Sequence, residues 1–212
     1  MIFDLDGTLL DTLDDLADSV NYALAACSMP LRTLDEVRAF VGNGVSKLIA
    51  RAVPAGTDED ECRHCLDVFR AHYLLNMENK TAPYPGVQEF LMRLAGEGYR
   101  LAVVSNKLDK AVKGLVLSHF GSLIPVAIGE RAGMACKPAR DMVLLALEEL
   151  GADIGQAVYV GDSEVDLETA KNAGLPCISV AWGFRERGFL LERGATHVAD
   201  NMEALYRILG EI

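Results

Sequence analysis

Arg100–Ser105 (RLAVVS) is a short apolar run rich in valine, and Asp109–His119 (DKAVKGLVLSH) follows it with helical spacing of its apolar residues. A run of this kind, closed by polar residues, reads as a strand covered on both faces. The same pairing recurs downstream. Val126–Gly129 (VAIG), Ala157–Gly161 (AVYVG) and Cys177–Ala181 (CISVA) read as strands, with helical patterns over Val87–Gly96, Ala139–Leu150 and Glu164–Ala173. Strand–helix alternation predicts an α/β domain of three layers, Rossmann-like, with a mostly parallel sheet. In such sheets ligands bind beyond the carboxyl ends of the strands.

Upstream the pattern changes. From about Asp14 to Lys80 there is no strand signal, only helical spacing over Asp15–Ala26, Leu34–Val41 and Val45–Ala52, then a further helix beginning after Thr57 as N-cap. Asp58, Glu59, Asp60 and Glu61 stand in its first turn, where the helix dipole favours acids. Cys62, Cys65, Leu66, Phe69 and Tyr73 mark its apolar face. The division expected is therefore residues 1–13 and 81–212 as the α/β core, with 14–80 as a small helical insert. Pro83-Tyr84-Pro85-Gly86 reads as the point of re-entry. Only three residues precede Asp4, so a first strand there is unusually short.

Bulk properties narrow the partners. The chain has 212 residues, half of them hydrophobic, with a formal net charge of -11. It shows no block of lysine and arginine to release phosphate counterions, which argues against nucleic acid and anionic membranes as partners. Neither a secretory signal nor a membrane-spanning run is visible, and five scattered cysteines suit a reducing cytoplasm. Cys62-Arg63-His64-Cys65 lacks the second pair that a closed zinc site needs. Trp182, the sole tryptophan, reads as packing or a rim contact. Oligomeric state is left open.

Four short stretches carry chemistry. Asp4-Leu5-Asp6-Gly7-Thr8 places two carboxylates just past a strand end. Close carboxylates repel unless a cation sits between them or one holds a proton, and Mg²⁺ suits such a set. An acidic turn is the plain alternative. Ser105-Asn106 ends a strand, where a hydroxyl, an amide and a helix N-terminus can hold a phosphoryl oxygen; a helix cap explains either residue equally well. Lys137-Pro138 reads as a lysine before a helix started by proline, or simply as a solvated charge. Val160-Gly161-Asp162-Ser163-Glu164-Val165-Asp166 puts Asp162 at a strand end, where an N-cap is the plain alternative, with Asp166 four residues on along the same helical face. All four fall at carboxyl ends of expected strands, where one crevice gathers them.

In that order and spacing the chain resembles the haloacid dehalogenase superfamily. Its phosphoglycolate phosphatase-like branch is suggested by Phe3–Thr12 (FDLDGTLLDT), Val41-Gly42-Asn43-Gly44 and Tyr84-Pro85-Gly86-Val87. The resemblance implies Asp4 as nucleophile, Asp6 as general acid/base and Thr8 orienting Asp6. It implies Ser105 and Lys137 neutralising the phosphoryl group, and Asp4, the Asp6 carbonyl and Asp162 holding Mg²⁺ with Asp166 behind them. Asn106, Asn43 and Lys47 are candidates for substrate contact, and the helical insert, as a cap over the site, is expected to set specificity. Ala139-Arg140 stand where the family usually has a second proline. Dehalogenases and phosphonatases of this fold lack the acid at Asp6, so a phosphatase acting on a small phosphorylated metabolite, 2-phosphoglycolate first, is expected. A β-phosphoglucomutase-like transferase and a pyrophosphatase are the alternatives.

Overall fold

The computed structural model describes all 212 residues, Met1–Ile212, and the chain divides into two compact units, Met1–Asp11 with Pro83–Ile212, and Thr12–Ala82. In chain order, β1 (Ile2–Phe3) and β2 (Leu10–Asp11) precede the helices α1 (Leu13–Ala26), α2 (Leu34–Phe40), α3 (Val45–Ala52) and α4 (Glu59–Asn76). Then come β3 (Ala82–Pro83), α5 (Val87–Gly96), β4 (Ala102–Leu108), α6 (Asp109–Phe120) and β5 (Val126–Glu130). The chain ends with α7 (Asp141–Leu150), β6 (Tyr159–Gly161), α8 (Glu164–Ala173), β7 (Cys177–Val180), α9 (Arg187–Glu192), β8 (Val198–Ala199) and α10 (Met202–Leu209). The α/β architecture expected from the alternation is present, with a parallel sheet in the order β5-β4-β1-β6-β7-β8. β2 and β3 pair in a sheet of their own.

The two-residue β1 is viable because it is central. Phe3 pairs with Val103 on one side and Val160 on the other, and both Ile2 and Phe3 are fully buried. The connection from β1 leads to β4 on one side, and β6 returns to the other side of β1. The chain therefore reverses direction across the sheet at β1, which opens a crevice at its carboxyl end. One face of the sheet packs Ile2, Val104, Ile128 and Tyr159 against Met142, Val143, Ala146 and Leu147 of α7. Each fully buried aliphatic of this kind contributes about 1.5–3 kcal/mol relative to exposure.

Several boundaries differ from those read in the sequence. β4 continues through Ser105 to Leu108 rather than ending at Ser105, with a register shift against β5 between Val104 and Leu108. The helix after Lys137-Pro138 starts only at Asp141, and a cis peptide joins Lys137 to Pro138. α8 is capped by Ser163, not Asp162, in a capping box with Asp166. Likewise α4 is capped by Asp58, whose carboxylate accepts from the amides of Asp60 and Glu61. Thr57 instead turns its hydroxyl back onto the Pro54 carbonyl.

The helical unit has its own core, in which Leu24, Val37, Ile49, Cys65, Phe69 and Tyr73 are buried. Its one deeply buried carboxylate, Asp15, accepts from the amides of Lys80 and Thr81 and from the Thr81 hydroxyl at 2.8–3.1 Å. That fastens the end of the unit to its first helix. In the loop before α3, Gly44 takes φ +85° and the Asn43 side-chain oxygen accepts from Arg51 at 2.6 Å. Lys47 lies exposed on α3. No helix of the molecule is long and apolar enough to cross a membrane.

Candidate active site

Asp4 is the first residue past β1. Its amide donates to the Val160 carbonyl, and the chain then folds tightly, the Leu5 carbonyl accepting from the amides of Thr8, Leu9 and Leu10. Gly7 makes this possible with φ +81°, and a Cβ there would run into the Asp162 carboxylate. The acidic pair is thus built against β6 and the loop that follows it. Asp4 is only 8% exposed, and its Oδ1 accepts from the Leu5 amide at 2.7 Å and from Lys137 Nζ at 2.9 Å.

Lys137 lies between two carboxylates, since its Nζ also reaches Asp166 Oδ1 at 2.8 Å and donates to the Tyr159 hydroxyl at 3.2 Å. Asp166 is wholly buried and fully used: Oδ1 takes Lys137 and Tyr159, while Oδ2 takes the amide and hydroxyl of Ser163. Asp162 accepts from the Phe184 amide at 2.7 Å and, at 3.4 Å, from the Thr8 hydroxyl. Thr8 therefore bonds Asp162, whereas the resemblance had it orienting Asp6. One carboxylate oxygen from each of Asp4, Asp162 and Asp166 lies within 4.8 Å of the others. Asp166 is saturated by its four donors, so Asp4 and Asp162 are the carboxylates with oxygens left for a hard cation such as Mg²⁺.

The electrostatics follow from burial. Asp4 is pushed up to about 7, first by desolvation and then by the Asp166 and Asp6 charges, against the pull of Lys137. Asp162 is raised well above the usual carboxylate range by burial and by Asp166 and Asp4. Burial alone would lower Lys137, but Asp166 and Asp4 outweigh it and hold the ammonium charged. An excess of buried negative charge over one lysine is the condition a divalent cation relieves.

The strand β4 supplies the opposite wall. Ser105 is buried, and its hydroxyl accepts from the Lys107 amide at 3.3 Å. Asn106, expected to contact substrate, uses both ends of its amide on the backbone of Lys137, at 2.7 and 3.0 Å, and so braces that lysine. Lys107 had no assigned role in the sequence, although it directly follows the serine and asparagine. Its Nζ meets both oxygens of Asp6, at 2.7 and 2.9 Å. Trp182 is likewise more than packing: its indole N–H donates to the Thr8 carbonyl at 3.0 Å. Beside it, a Cβ on Gly183 would strike the Gly7 carbonyl and the Asp162 side chain. Asn43 and Lys47 belong to the helical unit described above.

A model of the haloacid dehalogenase-like hydrolase family matches residues 1–180. The chain belongs to that family. Within it, the haloacid dehalogenase-like hydrolase described here is 37% identical over 197 residues to the phosphoglycolate phosphatase of Mesorhizobium japonicum, covering 88% of this chain and 84% of that protein. It is 37% identical over 191 residues to the phosphoglycolate phosphatase of Caulobacter vibrioides, covering 87% and 79%. The crystal structure of a Lactobacillus delbrueckii subsp. bulgaricus protein superposes with a TM-score of 0.93 at 35% identity, covering 98% of this chain and 96% of the other. This haloacid dehalogenase-like hydrolase is a phosphatase, a phosphoric monoester hydrolase.

Proposed function

We propose that this phosphatase hydrolyses 2-phosphoglycolate with Mg²⁺, through an aspartyl phosphate on Asp4. The observation that carries the mechanism is the pair of carboxylates in unlike settings two residues apart. The Asp4 side chain, 12% exposed, is fixed by Lys137, which also holds the buried Asp166, whereas the Asp6 side chain, 14% exposed, is fixed by Lys107. The substrate assignment rests on the relatives, which carry that activity in their names.

Asp4 Oδ1 is held by the Leu5 amide and Lys137, which leaves Oδ2 as the oxygen to attack phosphorus. As its bond to phosphorus forms, the bond to the leaving oxygen breaks, and Asp6 delivers a proton to that oxygen. Asp6, now a carboxylate, takes a proton from the water that hydrolyses the acyl phosphate. Lys137 and the Ser105 hydroxyl answer the charge on the transferring group, and Asn106 holds Lys137 in place. Asp4, Asp162 and the Asp6 carbonyl would hold Mg²⁺, which when bound neutralises the phosphoryl oxygens. Asp166 supports from behind, its oxygens already engaged.

Phosphate release from 2-phosphoglycolate, sugar phosphates and pyrophosphate, each with Mg²⁺ and with chelator, tests the reading. The expected result is the highest kcat/KM on 2-phosphoglycolate and loss of turnover on chelation. Efficient hydrolysis of another ester without hydrolysis of 2-phosphoglycolate overturns the substrate, and chelator-resistant turnover overturns the metal.

A further inference from the structure

Lys107 is as deeply buried as the lysine the family motif announces, yet it contacts a different carboxylate. Its side chain is 2% exposed, and its ammonium forms an ion pair with Asp6. An ammonium removed from water is costly unless its partner is well placed, and here both carboxylate oxygens are within 2.9 Å. The same residue donates its backbone N–H to the Ser105 hydroxyl. One residue thus ties the group expected on a phosphoryl oxygen to the group expected on the leaving oxygen. The register shift of β4 between Val104 and Leu108 is the local irregularity in which this three-residue segment lies.

The geometry points to Lys107 as the positioning residue for Asp6, an inference that rests on the reading of Asp6 as acid/base given above. An unpaired aspartate at 14% exposure is free to rotate about χ1 and χ2, and only one orientation faces a leaving oxygen. The ammonium selects among those orientations by holding both oxygens at once. When Asp6 gives its proton to the leaving oxygen and becomes a carboxylate, Lys107 stays protonated and its ion pair is the contact seen in the structure. Lys137 has no equivalent part, since its carboxylates are Asp4 and Asp166.

The test is the dependence of kcat/KM on the leaving group, because a positioned acid matters most where the leaving oxygen is a poor one. Full-length wild type, K107M, K107R and D6N are compared on a series running from 2-phosphoglycolate through phenyl phosphate to p-nitrophenyl phosphate. K107M is expected to lose about 10²-fold on the alkyl ester, at least about tenfold more than on the p-nitrophenyl ester, in the direction shown by D6N. K107R, which keeps the charge with altered geometry, is expected to fall between wild type and K107M with the same trend, and it carries the test alone should K107M fail to fold. A D6N loss that is uniform along the series overturns the acid reading of Asp6. A D6N loss that depends on the leaving group, with uniform or absent losses in K107M and K107R, overturns the inference about Lys107 alone.

Discussion

The two lysines of the site sit in contrasting settings. Lys137 lies in a closed network of Asp4, Asp166 and Tyr159, with its side chain 1% exposed and Asp166 wholly buried. Lys107, 2% exposed, holds both oxygens of Asp6. The contrast separates two demands of phosphoryl transfer. A nucleophile has to be held still among fixed charges, whereas an acid/base has to be reached by a leaving group and afterwards by water. In the proposed reading each demand falls to a carboxylate with its own cation, Asp4 with Lys137 and Asp6 with Lys107.

The largest expected break in that contrast is at the closed end. Asp4→Asn removes the attacking oxygen and is expected to abolish turnover while circular dichroism and the melting transition stay close to wild type; turnover near the wild-type rate would remove Asp4 from the nucleophile role. Next, Lys137→Met leaves Asp4 and Asp166 buried without their counter-charge. Removing one partner of a buried pair costs about 3–5 kcal/mol, so denaturant melts without metal should show a loss of that order. A loss under about 1 kcal/mol, the scale of an exposed pair, would show that the network is not closed. At the loop behind Asp162, Gly183→Ala forces a methyl group against the Gly7 carbonyl and the Asp162 side chain. Disturbing such a supporting contact typically costs about 10–100-fold in metal affinity, measurable by calorimetric Mg²⁺ titration. The smallest effect is in pH. Asp4 is pushed up to about 7, so without metal the folded chain retains a proton there that the unfolded chain loses at lower pH. Stability of the metal-free protein should therefore fall as pH rises from the ordinary carboxylate range through about 7. Mg²⁺ affinity should rise over the upper part of that window, because binding displaces the proton. An affinity flat between those limits would contradict the burial of Asp4.

Much of this was legible in the sequence, because repeated alternation of short apolar runs with helical spacing is a strong signal and the two acidic motifs directly follow β1 and β6. The helical block was legible for the complementary reason that 3.6-residue spacing persisted with no β-branched run. What escaped were features too short or too distant for periodicity to register. β8 is Val198–Ala199, two residues with no alternation to read, and the short α9 beside it was missed as well. The Lys107–Asp6 pair joins residues 101 apart in the chain, and nothing in the spacing says which carboxylate a lysine after Ser-Asn will choose. Thr8 turned to Asp162 for the same reason, since the tight loop through Gly7 faces β6 only once the sheet exists.

The short first strand has a further consequence, for the order in which the molecule becomes an enzyme. Ile2 and Phe3 are synthesised long before Ala102 and Val103, or Tyr159 and Val160, the residues between which they pair. Such non-local pairing makes folding slower than local contact would, since loop closure comes before its reward. Asp4, the proposed nucleophile, therefore waits, attached to two apolar residues, until the chain has been built past β6. The site is a property of the completed sheet, and a nascent chain that stops short of β6 carries Asp4 without Asp162 and Asp166, the carboxylates it lies beside.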